Sequence, residues 1–346
     1  MDFRTIFSAI GALTAALGLA MLLPAFADLV VGNDDWLVFL TASLITMIFG
    51  AGLWASSTGH KSDLNLRQAF LMTVSIWVVL TIFGALPLYM SNLGLSFTDA
   101  MFEAMSGITT TGSTVITTLD TTAPGILLWR GLLQWFGGLG VVVMAIAVLP
   151  MLRVGGMQMF RAEAFETPDK ILPAAAQIAT AMVIVYCILT FACAVAYWLA
   201  GMGAFDAVVH SLSTVATGGF STRDASLGAF DQPAIHYVSV VFMILGALPF
   251  VLYVGMLQGS FGQLFRDSQV RLFLYLIGLA TVIVVFVQLT GDIARGEEAF
   301  RHGLFSVVSI MTGSGFGVAD FSAWGPLAVS LFFVVMFIGG CTGSTS

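Results

Sequence analysis

Eight runs of mainly apolar residues, each near the length that crosses a bilayer, follow one another along the chain at about 4–31, 36–57, 66–91, 126–150, 172–200, 234–258, 269–290 and 325–340. A spanning helix needs about 20 such residues. With 58% apolar and only 9% charged residues, the chain cannot hide this surface in one water-soluble core. It therefore reads as an all-α integral membrane protein. The first run is far longer than the apolar part of a secretory signal and lacks a clear cleavage signal, so it counts as a span.

Three of the connections do not read as ordinary loops. Each opens on polar residues (Ser96 to Asp99, Gly203 to Asp206, Gly296 to Glu298), continues through a mainly apolar stretch and ends in a Thr/Ser/Gly run. The runs are SGITTTGSTV from Ser106 to Val115, STVATGGFST from Ser213 to Thr222 and SIMTGSGFGV from Ser309 to Val318. Counted back from Gly112, Gly219 and Gly315, a serine stands six positions earlier each time, at Ser106, Ser213 and Ser309. The apolar stretches rise only about 18 Å as helices, too little for a hydrocarbon core of about 30 Å. Residues 98–109, 205–216 and 299–311 are therefore expected to be re-entrant pore helices that enter and return on one side. A single Thr/Gly run would be ordinary turn punctuation; three in one register form an internal repeat and point to an ion pathway.

The residue types in these runs suit a cation. Non-helical backbone at membrane depth is tolerated only where it is buried in protein or lines a watery cavity. A ring of carbonyls can replace the hydration shell of a cation, and glycine permits dihedrals that turn successive carbonyls toward one axis. The helices would end at the runs, so their negative dipole ends point into the cavity. With the N-terminus cytoplasmic, Arg4, Lys61, Arg67, Arg153, Arg161, Lys170, Arg266 and Arg271 fall inside, against Arg130, Arg223, Arg295 and Arg301 outside. That agrees with the positive-inside rule. The same orientation puts most carboxylates outside, among them Asp99, Glu103, Asp206, Glu297, Glu298 and Asp320. They are either ordinary solvated loop charges or an acidic mouth that concentrates cations.

FEAMSGITTTGSTV (Phe102 to Val115), HSLSTVATGGFSTRD (His210 to Asp224), SVVSIMTGSGFGVADFSAW (Ser306 to Trp324) and QWFGGLGVVVMAIAVLPMLRVGGMQMFRAE (Gln134 to Glu163) together resemble the Trk/Ktr/HKT superfamily of potassium transporters, and within it the TrkH family. The resemblance covers essentially the whole chain. It implies helix–pore loop–helix repeats with pseudo-fourfold symmetry around one permeation path, organised as a helix pair at 1–58, a first repeat at 59–158, a second at 159–262 and a third at 263–346. Filter glycines carry over onto Gly112, Gly219 and Gly315. The neighbouring ligand candidates are the carbonyls of Thr110, Thr111, Thr217, Gly218, Gly313 and Ser314. The third run departs from the commoner Thr-Thr-Thr-Gly-Phe pattern, reading Thr312-Gly-Ser-Gly-Phe316, which bears on potassium against sodium preference.

The last span starts favourably at Pro326 and is expected to reach Gly339 while still at membrane depth. The run Gly339, Gly340, Cys341, Thr342, Gly343, Ser344 would then break the helix there. It is either a small-residue helix contact or, by the resemblance, an intramembrane loop that gates the pore from beneath the filter. The resemblance also implies a fourth repeat after this loop, so the chain is expected to be a truncated subunit with three filters. As further partners it implies a homodimer and a cytosolic nucleotide-binding regulatory subunit, with the mixed-charge connector 153–171 as a possible docking surface. No cofactor beyond the transported potassium ion and no nucleic acid are implied.

The expected function is potassium uptake across the bacterial cytoplasmic membrane. The alternatives are a sodium-permeable or sodium-coupled transporter of the same fold and a non-conducting scaffold fragment. An intramembrane enzyme would need clustered nucleophiles, bases or ligands, and His60, His210, His236 and His302 are scattered in the sequence. His210 is expected to be a packed, hydrogen-bonded histidine. Arg130, a charge in a span, should find an acidic partner such as Glu103. Cys187, Cys193 and Cys341 show neither metal spacing nor a paired framework.

Overall fold

A computed structural model of the chain describes residues 3–57, 66–152, 171–257, 259 and 262–346. Lys61, His60 and all of the connector 153–171 except Ile171 lie outside the described residues. Regular structure among the described residues is helical, and it divides into two compact units, one of residues 1–109 and 113–133, the other of residues 110–112 and 134–346.

The first unit holds α1 (Arg4–Ala20), α2 (Leu22–Val31), α3 (Asp35–Ser56), α4 (Leu66–Met90) and the half-length α5 (Phe97–Ile108). Helices α1 and α2 form one apolar span that breaks at Met21, where Pro24 has no N–H to offer the Ala20 carbonyl. Gly32, with φ of +77°, closes α2 as a left-handed cap. Small residues let α1 and α3 approach closely. A Cβ on Gly11 would come within 2.7 Å of the Gly50 carbonyl oxygen, and one on Gly50 within 2.8 Å of that of Gly11. Gly50→Leu is accordingly expected to push the helices apart and destabilise the unit by about 1–3 kcal/mol, read as a lower melting temperature of the detergent-solubilised protein. Helix α5 starts on a Ser96 cap whose side chain accepts the Asp99 N–H, satisfying a helix-start donor.

Helix α6 (Pro124–Leu152) begins in the first unit. Its Gly125 N–H donates to Asp28 Oδ1 of α2 at 2.6 Å, so a buried carboxylate supplies the cap that the sequence around Pro124 lacks. Farther along α6, the Trp129 indole donates to the Gly84 carbonyl of α4 at 2.9 Å.

The second unit contains the rest of α6 and then α7 (Ile171–Leu199), the half-length α8 (Ala204–Val215), α9 (Pro233–Gly246), α10 (Phe250–Leu257), α11 (Gly262–Arg266), α12 (Ser268–Thr290), the half-length α13 (Gly296–Met311) and α14 (Pro326–Val335). Helix α8 packs on α7 and α9, and α13 on α12 and α9. Tyr186, Tyr197, Met243, Phe250, Phe305 and Met311 are buried in the shared core.

The three half-length helices lie within a few residues of their expected positions, and the spans differ in two places. Six described helices are long and apolar enough to cross a membrane, and a seventh span exists only if a bent pair is counted as one. That pair is α9 and α10, bent by 90°, where a single straight span was expected over 234–258. Pro249 is the cause: it cannot donate to the Leu245 carbonyl, which accepts the Tyr253 hydroxyl at 2.7 Å instead. The last helix also stops early, at Val335 rather than near Gly339. The residues beyond it turn back and supply hydrogen bonds at the α9–α10 bend.

Candidate functional site

Each half-length helix ends four residues before its glycine: Ile108 before Gly112, Val215 before Gly219 and Met311 before Gly315. The backbone then repeats one pattern. The glycines have φ of +81°, +82° and +75°, and the residues two places earlier, Thr110, Thr217 and Gly313, have φ of +56°, +50° and +70°. Alternating positive and negative φ turns successive carbonyls toward a common side. For the two β-branched threonines, left-handed backbone costs about 1–2 kcal/mol each, which the surrounding packing has to offset. Gly313 avoids that cost, and this is the physical content of the departure in the third run.

The three turns meet. Residues 110–112 cluster with the second unit, together with the other two turns. A Cβ on Gly112 would overlap the Gly218 carbonyl oxygen and come within 3.6 Å of that of Ser314, and one on Gly219 would overlap the Ser314 oxygen. Carbonyl oxygens of one turn thus lie against the glycine of another, in a space that admits no side chain at Gly112 or Gly219. Ser314 and Thr217 are buried, while Thr111, Gly313 and Gly315 are exposed.

Side chains hold the turns from behind in matching register. On α5, Glu103 accepts from the Thr114 hydroxyl at 2.8 Å and the Val115 N–H at 2.9 Å, and from Arg130 Nε at 2.7 Å. Arg130 and Glu103 are 1% and 0% exposed, so the expected pair is a fully buried one. The equivalent position on α8 is His210, which bonds Ser221 at 2.9 Å through Nε2 and the Asp206 carbonyl at 2.8 Å through Nδ1. Glu103 with Thr114 and His210 with Ser221 are both eleven residues apart, so one latch serves two repeats with different chemistry. The third run has Ser306 and Gly317 at these positions and is strapped to the loop after the second: Gly317 N–H donates to Ser226 Oγ at 3.2 Å, and the Gly317 carbonyl accepts from the Gly228 N–H at 2.9 Å.

Gln134 of α6, to which the sequence reading gave no role, reaches into the second turn. Its Nε2 donates to the Gly218 carbonyl at 2.6 Å, and its Oε1 accepts from the Ser213 hydroxyl at 2.5 Å and the Phe220 N–H at 3.0 Å. The signal that could have found it is an amide inside an apolar span, where polar groups need partners.

Residues Gly339 to Ser346 fold against the α9–α10 bend and the feet of α8 and α13. Cys341 N–H donates to the Ala247 carbonyl at 2.9 Å, Phe250 N–H to the Gly343 carbonyl at 3.0 Å and Thr345 N–H to the Gly246 carbonyl at 3.2 Å. Thr342 N–H donates to Gln269 Oε1 at 3.3 Å, and Ser344 N–H to the Cys341 carbonyl at 3.2 Å. Thr345 Oγ1 bonds the Val215 carbonyl at 2.9 Å, and Ser346 Oγ donates to the Thr312 carbonyl. Positive φ at Gly339 and Gly343 makes the reversals, and a Cβ on Gly340 would crowd Ala247 and Ser346. The candidate gate loop is therefore an ordered strap at the foot of the second and third turns.

At the start of α13, two histidines read as scattered in the sequence are neighbours. Arg301 Nη1 lies 2.8 Å from His236 Nδ1 and 3.3 Å from His302 Nε2. The Tyr237 hydroxyl and Arg301 both bond Glu297 and hold its carboxyl below the usual range, as Ser322 does for Asp320. These two surface carboxylates stay ionised at neutral pH. The three cysteines are free thiols, Cys187 exposed and the other two buried.

Residues 37–346 match the family model described as TrkH, a cation transport protein. The chain is 42% identical to the Trk system potassium uptake protein TrkH of Halomonas elongata, with all of this chain and 72% of that protein aligned. It is 39% identical to TrkI of the same organism, over 99% of this chain and 69% of that one. The crystal structure of the potassium transporter TrkH from Vibrio parahaemolyticus superposes with a TM-score of 0.91 at 39% identity, covering 100% of this chain and 72% of that one.

Proposed function

Because the chain belongs to the TrkH family of cation transport proteins, we propose that it carries potassium across the bacterial cytoplasmic membrane through a filter built from its three Thr/Ser/Gly turns. The family is one of multi-pass transporters, not enzymes. The observation that supports the filter most is the meeting of Gly112, Gly219, Gly218 and Ser314 within one unit, where carbonyl oxygens approach glycines that leave no room for a Cβ. Oxygen ligands without side-chain charge suit a monovalent ion that must also leave. Thr110, Thr111, Gly112, Thr217, Gly218, Gly219, Gly313, Ser314 and Gly315 are the proposed filter residues, and Gly339, Gly340, Cys341, Thr342, Gly343 and Ser344 the proposed gate.

The sodium-permeable alternative draws no support from relatives whose names all specify potassium uptake, and a non-conducting scaffold has no use for three register-matched turns. A homodimer and a cytosolic regulatory subunit are proposed as partners from the family resemblance. Expressed as encoded at its locus in cells without other potassium uptake, the gene is expected to restore growth at low potassium and rubidium influx. Membrane-inserted protein with no influx above the empty vector would refute the reading.

A further inference from the structure

We infer that Gln134 is a positioning residue for ion selectivity: from α6 it fixes the Gly218 carbonyl and so the size of the cage that the second turn presents. This inference rests on the filter reading above. Gln134 is fully buried, and its three hydrogen bonds reach three separate parts of the turn. Ser213 lies on the helix before it, Gly218 within it and Phe220 just after its glycine. The contact is also steric, since a Cβ on Gly218 would fall within 2.5 Å of Gln134 Oε1.

The serines at the equivalent positions of the other two repeats are held differently. The equivalent Ser309 donates to the Phe316 carbonyl within its own turn at 2.7 Å. Ser106 Oγ is buried with no hydrogen-bond partner among the described residues. In the second turn, an amide from a neighbouring span is bonded both to the helix before the turn and to a filter carbonyl.

The link to selectivity is the freedom of that oxygen. A carbonyl cage discriminates potassium from sodium only if its oxygens resist closing around the smaller ion or keep their number and field strength. A donor 2.6 Å from the Gly218 oxygen both withdraws its electron density and limits its travel. Without the donor, the oxygen can follow a sodium ion inward.

Gln134→Met keeps the volume and removes all three bonds. It is expected to lower potassium-over-sodium discrimination about tenfold, the equivalent of roughly one lost hydrogen bond, measured as sodium competition against rubidium influx and normalised to membrane abundance. Gln134→Glu keeps the acceptor for Ser213 and Phe220 and changes only the group facing Gly218. It is expected to insert normally and to discriminate less well as rising pH ionises the carboxyl, while the unmutated protein stays flat. Discrimination unchanged in both variants at every pH, or a loss of abundance and influx with discrimination intact, would overturn the inference. Gly219→Ser run alongside separates the two readings. If it loses potassium preference while the Gln134 variants keep theirs, only the role of Gln134 fails; if it too keeps its preference, the filter assignment fails.

Discussion

Gly219→Ser is expected to lower potassium influx by about 100-fold or more, equivalent to roughly 2.7 kcal/mol at the pore, and to abolish the preference for potassium over sodium in what remains. Two independent costs act at this position. The φ of +82° disfavours any residue with a Cβ by about 1–2 kcal/mol, and the added atom would overlap the Ser314 carbonyl oxygen of the third turn. Since that oxygen is a proposed ligand, relieving the overlap displaces it and changes the cage. The change is made on one turn and felt on another, so an intact discrimination ratio in Gly219→Ser would refute the convergence of the turns as a functional filter.

Arg130→Met is the second large effect, and it acts on folding. Breaking a buried ion pair by removing one partner costs about 3–5 kcal/mol, because the other charge stays buried without compensation. Glu103 would keep Thr114 and Val115 as donors and lose its counter-ion. Arg130→Met should therefore fall sharply in membrane abundance and in melting temperature. Glu103→Gln removes the negative charge and, combined with Arg130→Met, should recover part of the loss, since two neutral groups need less compensation. A double variant no better than the single arginine variant would show that Arg130 stabilises by packing alone.

How much of this was legible in the sequence follows from the range of each signal. The half-length helices at 98–109, 205–216 and 299–311 were visible because length and composition are local, and the structure places them at Phe97–Ile108, Ala204–Val215 and Gly296–Met311. The Arg130–Glu103 pair was legible because a charge inside a span demands a partner and few were within reach. The α9–α10 bend was missed although Pro249 marks it, since apolar residues continue on both sides and hydropathy has no term for direction. The early stop of α14 was missed for the same reason, with Phe337 and Ile338 extending the apolar run past the helix. Gln134 was missed because its partners lie 79 to 86 residues away. The pairing of His236 with His302 arises only from the packing of α9 on α13.

The strap beneath the turns carries a consequence for its proposed role as a gate. It supplies the partners of the Gly246 and Ala247 carbonyls and of the Phe250 N–H at a bend surrounded by apolar side chains. Such groups left bare in a dry interior cost several kcal/mol each, far more than thermal agitation provides. Displacing the strap is therefore inseparable from wetting the bend: water molecules must arrive as the backbone leaves, and in the proposed gate the ease of hydrating that space, rather than the flexibility of the glycines, would set how readily it opens.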